Sequence, residues 1–257
     1  MAKTKTGAPF GASLIVLSSF FYASYGIWTT LLGNFFGGYT ASAIRSSVVL
    51  FMLMPVAIAY RQLGKINWKR DWGYLVGLVL SSVLVWGPLY FSIVHAGVGI
   101  SLAINYASIV IGMFFFGWLL ANEKFTRDKL LSAGLGLIGL WLVFAPNLAT
   151  IGWLVLGAAL VSGFSTAANM VIAKKLPYTT TRCTVLVWTA SVLANAPMAL
   201  LLGEPQLQLG WRIEWLYVVA FAITSIAASW MFIKGVKLVD AGAAGVLGVC
   251  WRLCLRW

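Results

Sequence analysis

The side chains that usually perform catalysis are few in this sequence and stand apart from one another. All six carboxylates fall in loops or at the ends of apolar stretches, so no pair of them faces a buried cavity for acid–base work. The single histidine, His95, has no obvious serine or cysteine partner, and the three cysteines lack zinc-binding spacing. The sequence therefore predicts no enzyme, no metal site and no cofactor, and the cysteines are expected to be free thiols. The carboxylates are Asp71, Glu123, Asp128, Glu204, Glu214 and Asp240, and the cysteines are Cys183, Cys250 and Cys254.

Polar and aromatic side chains inside the apolar stretches are better candidates, because they can bind a small molecule without reacting with it. In the first stretch, Tyr22, Tyr25 and Trp28 recur at three-residue steps and share one helix face. In the third stretch, Trp86 and Tyr90 bracket a proline, which frees a backbone carbonyl and can bend the helix toward a cavity. The predicted substrate-binding residues are Tyr22, Tyr25, Trp28, Arg45, Trp86, Tyr90, Asn105, Asn169 and Trp230.

Each of these residues also has a structural explanation. Aromatic rings in membrane helices commonly pack or anchor at the interface, and Asn105 and Asn169 can simply join neighbouring helices through hydrogen bonds. Arg45 either attracts an anion or contributes to gating, or else it extends its charged end to the outer membrane surface without a ligand. Glu123 either caps its turn, pairs with a nearby lysine or arginine, or contributes to a gate. His95 is structural or solvated, or else takes part in a proton-linked step.

Helices that cross a membrane must position these residues. The 257-residue chain is 61% hydrophobic and 9% charged, with a mean hydropathy of +0.92, so its charged side chains cannot cover a soluble globule. A helix needs about 20 apolar residues to cross the hydrocarbon core, where open sheets are excluded. Hydropathy predicts eight spans and a broken ninth, at residues 10–32, 41–60, 72–94, 97–120, 130–145, 151–173, 184–202, 215–233 and 241–257.

The basic residues indicate how these spans are oriented. A net charge of +12 would suggest nucleic acid in a soluble protein, but here the basic residues form short clusters between apolar stretches, so no nucleic-acid partner is expected. With the N-terminus inside, 14 of the 18 lysines and arginines lie on the inner side, as the retention of positive charge in cytoplasmic loops requires. We therefore expect a multi-pass protein of the inner (cytoplasmic) membrane with a cytoplasmic N-terminus, whose partner is the lipid bilayer.

Several stretches resemble EamA-type members of the drug/metabolite transporter superfamily. Residues 95–108, the turn at 122–126 that contains Glu123, and the glycine-spaced run at 131–140 are similar to the family's fourth helix, its cytoplasmic turn and its fifth helix. Residues 239–248 resemble residues 94–100, and residues 163–169 weakly resemble residues 22–28, as an internal repeat would require. Arg45 falls where the family has a basic residue near the start of its second helix.

The resemblance implies an all-α integral membrane bundle of nine transmembrane helices, where the family has ten, arranged as two inverted five-helix repeats. The first repeat is expected at residues 1–147 and the second at 148–257. Because each repeat has five helices, an odd number, the second repeat enters the membrane from the opposite side and is inverted relative to the first. The family's central pocket would lie between helices one, three, four, six and eight. After Gly248 the sequence departs from the family, because Arg252 and Arg256 stand where an apolar helix should continue, so we expect an incomplete or altered C-terminus.

Together these features predict a secondary transporter that moves a small organic metabolite or drug across the cytoplasmic membrane by alternating access. Efflux is favoured by the resemblance alone, and uniport, exchange and proton antiport all stay open because no acid is embedded in a span. The alternatives are a non-transporting membrane scaffold or assembly subunit and an inactive truncated transporter. The expected partner is a small-molecule substrate, and a homodimer is one of the oligomeric states left open.

Overall fold

The computed structural model describes residues 7–32, 35–124, 152–204 and 212–254, together with isolated positions between 126 and 141. Over these residues the chain is helical and contains no strand, which confirms the predicted all-α class. The helices are α1 Gly7–Ala23, α2 Tyr25–Leu32, α3 Gly38–Ala59, α4 Trp68–Ala121, α5 Trp153–Lys175, α6 Thr180–Leu201, α7 Ile213–Leu238 and α8 Ala241–Cys254.

Six helical segments in the described part of the chain are long and apolar enough to cross a membrane. The first joins α1 and α2 across Ser24, and the others are α3, α4, α5, α6 and α7. α4 has 54 residues, which as one straight helix would measure about 80 Å, more than twice the thickness of the hydrocarbon core. It is interrupted at Gly97, whose φ of 79° and ψ of 159° are accessible to glycine alone among common residues.

Hydrogen bonds show that α4 folds back on itself at Gly97. Ser92 Oγ donates to Ser101 Oγ at 2.9 Å, although residues nine apart in a straight helix lie about 13 Å apart along its axis. Farther from the bend, Ser162 Oγ of α5 donates to the carbonyl of Val85 and accepts from Asn105 Nδ2. We call the two arms α4a, residues 68–96, and α4b, residues 98–121. They match the predicted third and fourth spans and the predicted turn between them.

Small residues let the helix backbones approach closely, as helix association in lipid requires. A Cβ atom added to Gly163 of α5 would lie 2.4 Å from the carbonyl oxygen of Asn105 in α4b. One added to Gly235 of α7 would lie 2.8 Å from the carbonyl oxygen of Gly11 in α1. The same helix pairs bury the largest apolar cluster, in which Ile15 and Met113 are fully buried.

The outer surface of the bundle is apolar. Large hydrophobic side chains such as Phe51, Trp153 and Leu201 are at least 80% exposed, an arrangement that is stable only where lipid replaces water. The bounds of the spans differ from the sequence prediction by a few residues at most ends. The predicted fifth span, 130–145, falls largely outside the described residues, although its described positions are helical.

A candidate binding cavity between the helices

A cavity lies at the centre of the bundle and divides into three neighbouring pockets. The central pocket has a volume of about 120 Å³, the lateral pocket about 90 Å³ and the arginine pocket about 40 Å³. Trp86 lines all three, and Tyr22 and Tyr25 line the two larger ones, so the pockets adjoin one another at these rings. The walls come from α1 and α2, both arms of α4, and α3, α5, α6 and α7.

Ser24 turns the first span so that its tyrosines form one wall of the cavity. It is the single residue between α1 and α2, and its Oγ donates to the carbonyl of Phe21 at 2.6 Å and accepts from Trp28 Nε1 at 3.1 Å. The Tyr25 ring lies edge-on to Phe221 at 4.8 Å and stacks on Trp86 at 6.2 Å between centroids. These contacts fix the aromatic wall before any ligand binds.

Arg45 is buried inside this aromatic wall, only 2% exposed, and does not extend to the membrane surface. Its guanidinium carbon lies 3.8 Å from the ring centroid of Trp86 and 4.5 Å from that of Phe221. Trp188 and Tyr25 complete the cage at 5.3 and 5.5 Å. The Nε and Nη2 atoms of Arg45 are buried and have no hydrogen-bond partner.

The ring cage stabilises the Arg45 charge only in part. A desolvated cation over an aromatic face gains about 2 kcal/mol, whereas removing an ion from water costs several kcal/mol even after the protein relaxes. The rings also offer no acceptor in the guanidinium plane, where its N–H groups point. Arg45 is therefore a preformed cationic group that still lacks an acceptor.

Two buried asparagines join helices at the edge of the cavity. Asn169 Nδ2 of α5 lies 3.0 Å from Ser82 Oγ and 3.1 Å from Ser81 Oγ of α4a. Asn105 Nδ2 donates to Ser162 Oγ at 2.9 Å and so connects α4b with α5. Both side chains also line a pocket, Asn169 the central one and Asn105 the lateral one. Their structural function is thus observed, and their function in binding stays a prediction.

The structure brings seven of the nine predicted substrate-binding residues to the cavity. Trp28 and Trp230 lie outside the three pockets: Trp28 packs beside Leu32 and Phe36, and Trp230 Nε1 donates to Thr181 Oγ1 at 3.3 Å. The seven that line a pocket are Tyr22, Tyr25, Arg45, Trp86, Tyr90, Asn105 and Asn169.

Side chains beyond the nine predicted residues also line the cavity, and sequence reasoning missed the two phenylalanines among them. Phe221 and Phe232 of α7 lack a polar atom that would distinguish them from other apolar residues of the span. Trp188 Nε1 donates to Ser229 Oγ at 3.0 Å, so these two residues link α6 with α7 at the cavity wall. Both stand out as polar or aromatic groups within a span, but their sequence positions do not reveal which way they face.

Glutamates hold the helices together at opposite ends of the bundle. Glu123 follows α4b, where one carboxylate oxygen lies 2.5 Å from Lys174 Nζ of α5 and the other accepts from the backbone N–H of Ala241 at 2.7 Å. Glu204 follows α6 and accepts from the backbone N–H groups of Tyr39 and Thr40 at 3.2 and 2.7 Å. Each carboxylate therefore binds the exposed N–H groups at the start of another helix, α8 or α3. Glu123 therefore forms the predicted ion pair, but it caps the start of α8 and not its own turn.

A polytopic helical bundle with an internal, partly polar cavity belongs to the class of membrane transporter-like proteins. The EamA-like transporter family model matches residues 9–145, and the chain belongs to this family.

Solved structures support the same fold. Thirteen solved chains match this protein. One of them, described only as "Crystal structure of protein", is 17% identical, covers 97% of this chain and 86% of its own, and has a TM-score of 0.74. At that identity the likeness shows the fold alone. No curated protein matches the sequence.

Proposed function

We propose that this protein is a secondary transporter that moves a small organic metabolite or drug across the cytoplasmic membrane by alternating access, in the direction of efflux. The central, lateral and arginine pockets together form the substrate site. The observation that carries the proposal is the cavity itself, which lies inside the bundle and is lined by aromatic rings with a few polar groups. Concave sites of that composition are typical of small-molecule binding.

Helix packing supports two inverted repeats, residues 1–147 and 148–257. In this arrangement α1 is equivalent to α5, α3 to α6, α4a to α7 and α4b to α8. Under these equivalences, the contact between α1 and α7 has its counterpart in the contact between α5 and α4. The contact between α3 and α7 likewise has its counterpart in the contact between α6 and α4. The contacts α3–α6 and α4–α8 each join two equivalent helices, so each is its own counterpart. Such an arrangement allows one repeat to rock against the other around a fixed site.

The two glutamates give this motion a pair of gates. Glu123 with Lys174 closes the inner end by joining α4b, α5 and α8, and Glu204 closes the outer end by joining α6 to α3. In alternating access, one of these contacts breaks while the other holds. The basic loops support an inner membrane location with the N-terminus in the cytoplasm.

Transport by the purified protein tests the proposal. In proteoliposomes, we expect saturable counterflow of at least one compound from a panel of amino acids, organic acids, amines and drugs. Trp86→Ala should lower the initial rate at least tenfold, because Trp86 lines the central, lateral and arginine pockets. Trp153→Ala is the matched control: this tryptophan is 87% exposed on the bundle surface, so the rate should not change.

Two results of the transport assay would contradict the proposal. If the monodisperse protein moves no compound faster than protein-free vesicles, the transporter proposal is wrong and a scaffold or assembly subunit becomes the better account. Equal loss of transport in both tryptophan variants would place the effect in folding, and the cavity would then not be the transport site.

A further inference from the structure

The arginine pocket carries an inference about the chemical class of the substrate, and this inference rests on the proposed function. The two unpartnered nitrogens of Arg45, Nε and Nη2, lie side by side on one edge of the guanidinium. Within the described part of the chain, no carboxylate forms an ion pair with Arg45. The residue is 2% exposed, so water at the protein surface does not supply the missing acceptors.

A carboxylate matches this edge. Its two oxygens have the spacing of the paired N–H groups and accept both hydrogen bonds at once, the bidentate geometry that arginine favours. The rings of Trp86 and Phe221 lie 4.5 Å or less from the guanidinium carbon and restrict rotation of the group, and Arg45 lines the arginine pocket. We propose that Arg45 binds the carboxylate of an organic acid whose apolar body occupies the adjoining aromatic pocket.

The size and lining of the neighbouring pocket define that body. The central pocket holds about 120 Å³ and is bounded by Tyr22, Tyr25, Trp188 and Phe232 among other residues. An apolar cavity of about 150 Å³ binds benzene, so the somewhat smaller central pocket limits that body to at most a single ring or a branched aliphatic group. Trp86 lies between the two pockets and contacts both parts of such a ligand.

The cavity also discriminates against amines. None of the described residues that line the three pockets is acidic, and Arg45 is the one cationic residue among them. An ammonium group in this space would meet a like charge without a carboxylate to pair with. The preferred substrate is therefore a hydrophobic monocarboxylate without an amino group, bound more tightly than its amide, its amine or the related amino acid.

Calorimetric binding to the detergent-purified full chain tests this preference with four matched probes. These are 3-phenylpropanoate, 3-phenylpropanamide, 3-phenylpropylamine and phenylalanine. We expect the acid to bind at least tenfold more tightly than each of the others. Equal affinities for the acid and the amide, or tighter binding of the amine, would overturn the proposal.

Variants locate the effect. Arg45→Gln should weaken binding of the acid at least tenfold and leave binding of the amide unchanged, and Arg45→Lys, which keeps the charge but not the paired edge, should give an intermediate loss. Arg212→Gln, at an exposed arginine near Phe35, should bind the acid normally. Unchanged binding of the acid by Arg45→Gln contradicts the inference. If that variant fails to fold, the preference of the unaltered protein for the acid over the amide still decides.

Two further outcomes separate this inference from the transporter proposal. Tight binding of the acid without movement in proteoliposomes contradicts the transporter and leaves the carboxylate site intact. Transport that favours amines or neutral compounds contradicts the carboxylate site and leaves the transporter intact. Competition by sodium chloride or inorganic phosphate as strong as that by the acid would show a site for inorganic anions, and it would overturn the proposed organic substrate.

Discussion

Asn169 is the residue at which a binding function and a structural function overlap. Its side chain lines the central pocket, yet its amide nitrogen is directed at two serines of α4a rather than at the open space. Hydrogen bonds of this kind between membrane helices contribute about 0.6 kcal/mol on average and up to about 1.7 kcal/mol. The structural contribution is thus small enough to be separated from an effect on ligand binding.

Replacing Asn169 should destabilise the bundle measurably but modestly. We expect Asn169→Ala to lower the free energy of unfolding by about 1 to 2 kcal/mol, because α4a and α5 lose their shared bonds. Denaturation in detergent micelles measures this change. Asn195→Ala is the control, since Asn195 Nδ2 bonds only to Ser191 of its own helix and its Oδ1 is buried without a partner. A loss in the control as large as in Asn169→Ala would contradict the account.

Some of the individual residues that line the cavity could be identified from the sequence. Tyr22, Tyr25 and Trp86 could be found because a polar or amphipathic ring inside an apolar helix needs a partner. Phe221 could not, because a phenylalanine that faces a cavity has the same composition and spacing as one that faces lipid. The cage around Arg45 also depends on helices far apart in sequence, so its geometry needed the structure.

Contacts between helix ends govern how the elements can move. The start of α3 has no side-chain cap of its own, and the cap residue Gly37 leaves room for Glu204, which a Cβ atom at that position would contact at 2.3 Å. The end of the bundle at which α3 begins is thus held by a carboxylate from another helix. A charged acceptor at a helix N-terminus gains from the N–H groups and from the helix dipole.

Neutralising this carboxylate should open the outer end. With all three native cysteines replaced by serine, Thr29→Cys reports access to the lateral and arginine pockets, which Thr29 lines. We expect Glu204→Gln to raise the labelling rate of this cysteine by an external, membrane-impermeant maleimide several-fold, because a neutral amide holds the α3 N-terminus less strongly.

Glu123→Gln provides the matched comparison at the inner end. It breaks the ion pair with Lys174 and should leave external labelling unchanged or reduced. If both variants raise the external rate equally, the two glutamates do not act as separate gates, and their contacts are structural.

Helix type and the order of the described spans followed from hydropathy, whereas one local break did not. The turn near His95 was predicted as the connection between the third and fourth spans, but the division of the first span at Ser24 was not. Serine is tolerated in membrane helices, where its hydroxyl usually bonds to a preceding carbonyl, so its sequence position carries no sign of a break. At the break, Trp28 Nε1 donates to Ser24 Oγ and α2 packs against α7, two contacts that the sequence does not reveal.

For the molecule as a whole, orientation in the membrane is a prediction that rests on sequence alone. This prediction uses only the number of lysines and arginines in each loop, so it needs no knowledge of how the helices pack. Packing determines instead which helices enclose the cavity, and this depends on contacts between both halves of the chain.

Cysteine labelling tests the orientation and the predicted fifth span together. In the cysteine-free background, Leu202→Cys should react with an impermeant maleimide on intact cells, and Lys65→Cys should react only after permeabilisation. The two sites lie on opposite sides if five spans separate them, which requires a crossing near residues 130–145. Reaction in the same compartment would contradict both the topology and that crossing.

The one-residue turn at Gly97 has a consequence for biosynthesis. Because α4a and α4b meet without an intervening soluble loop, neither arm has a polar segment that could be threaded across the bilayer by itself. The two arms would leave the translocon as a single hairpin, and antibodies and proteases would find almost no polypeptide to recognise at that tip.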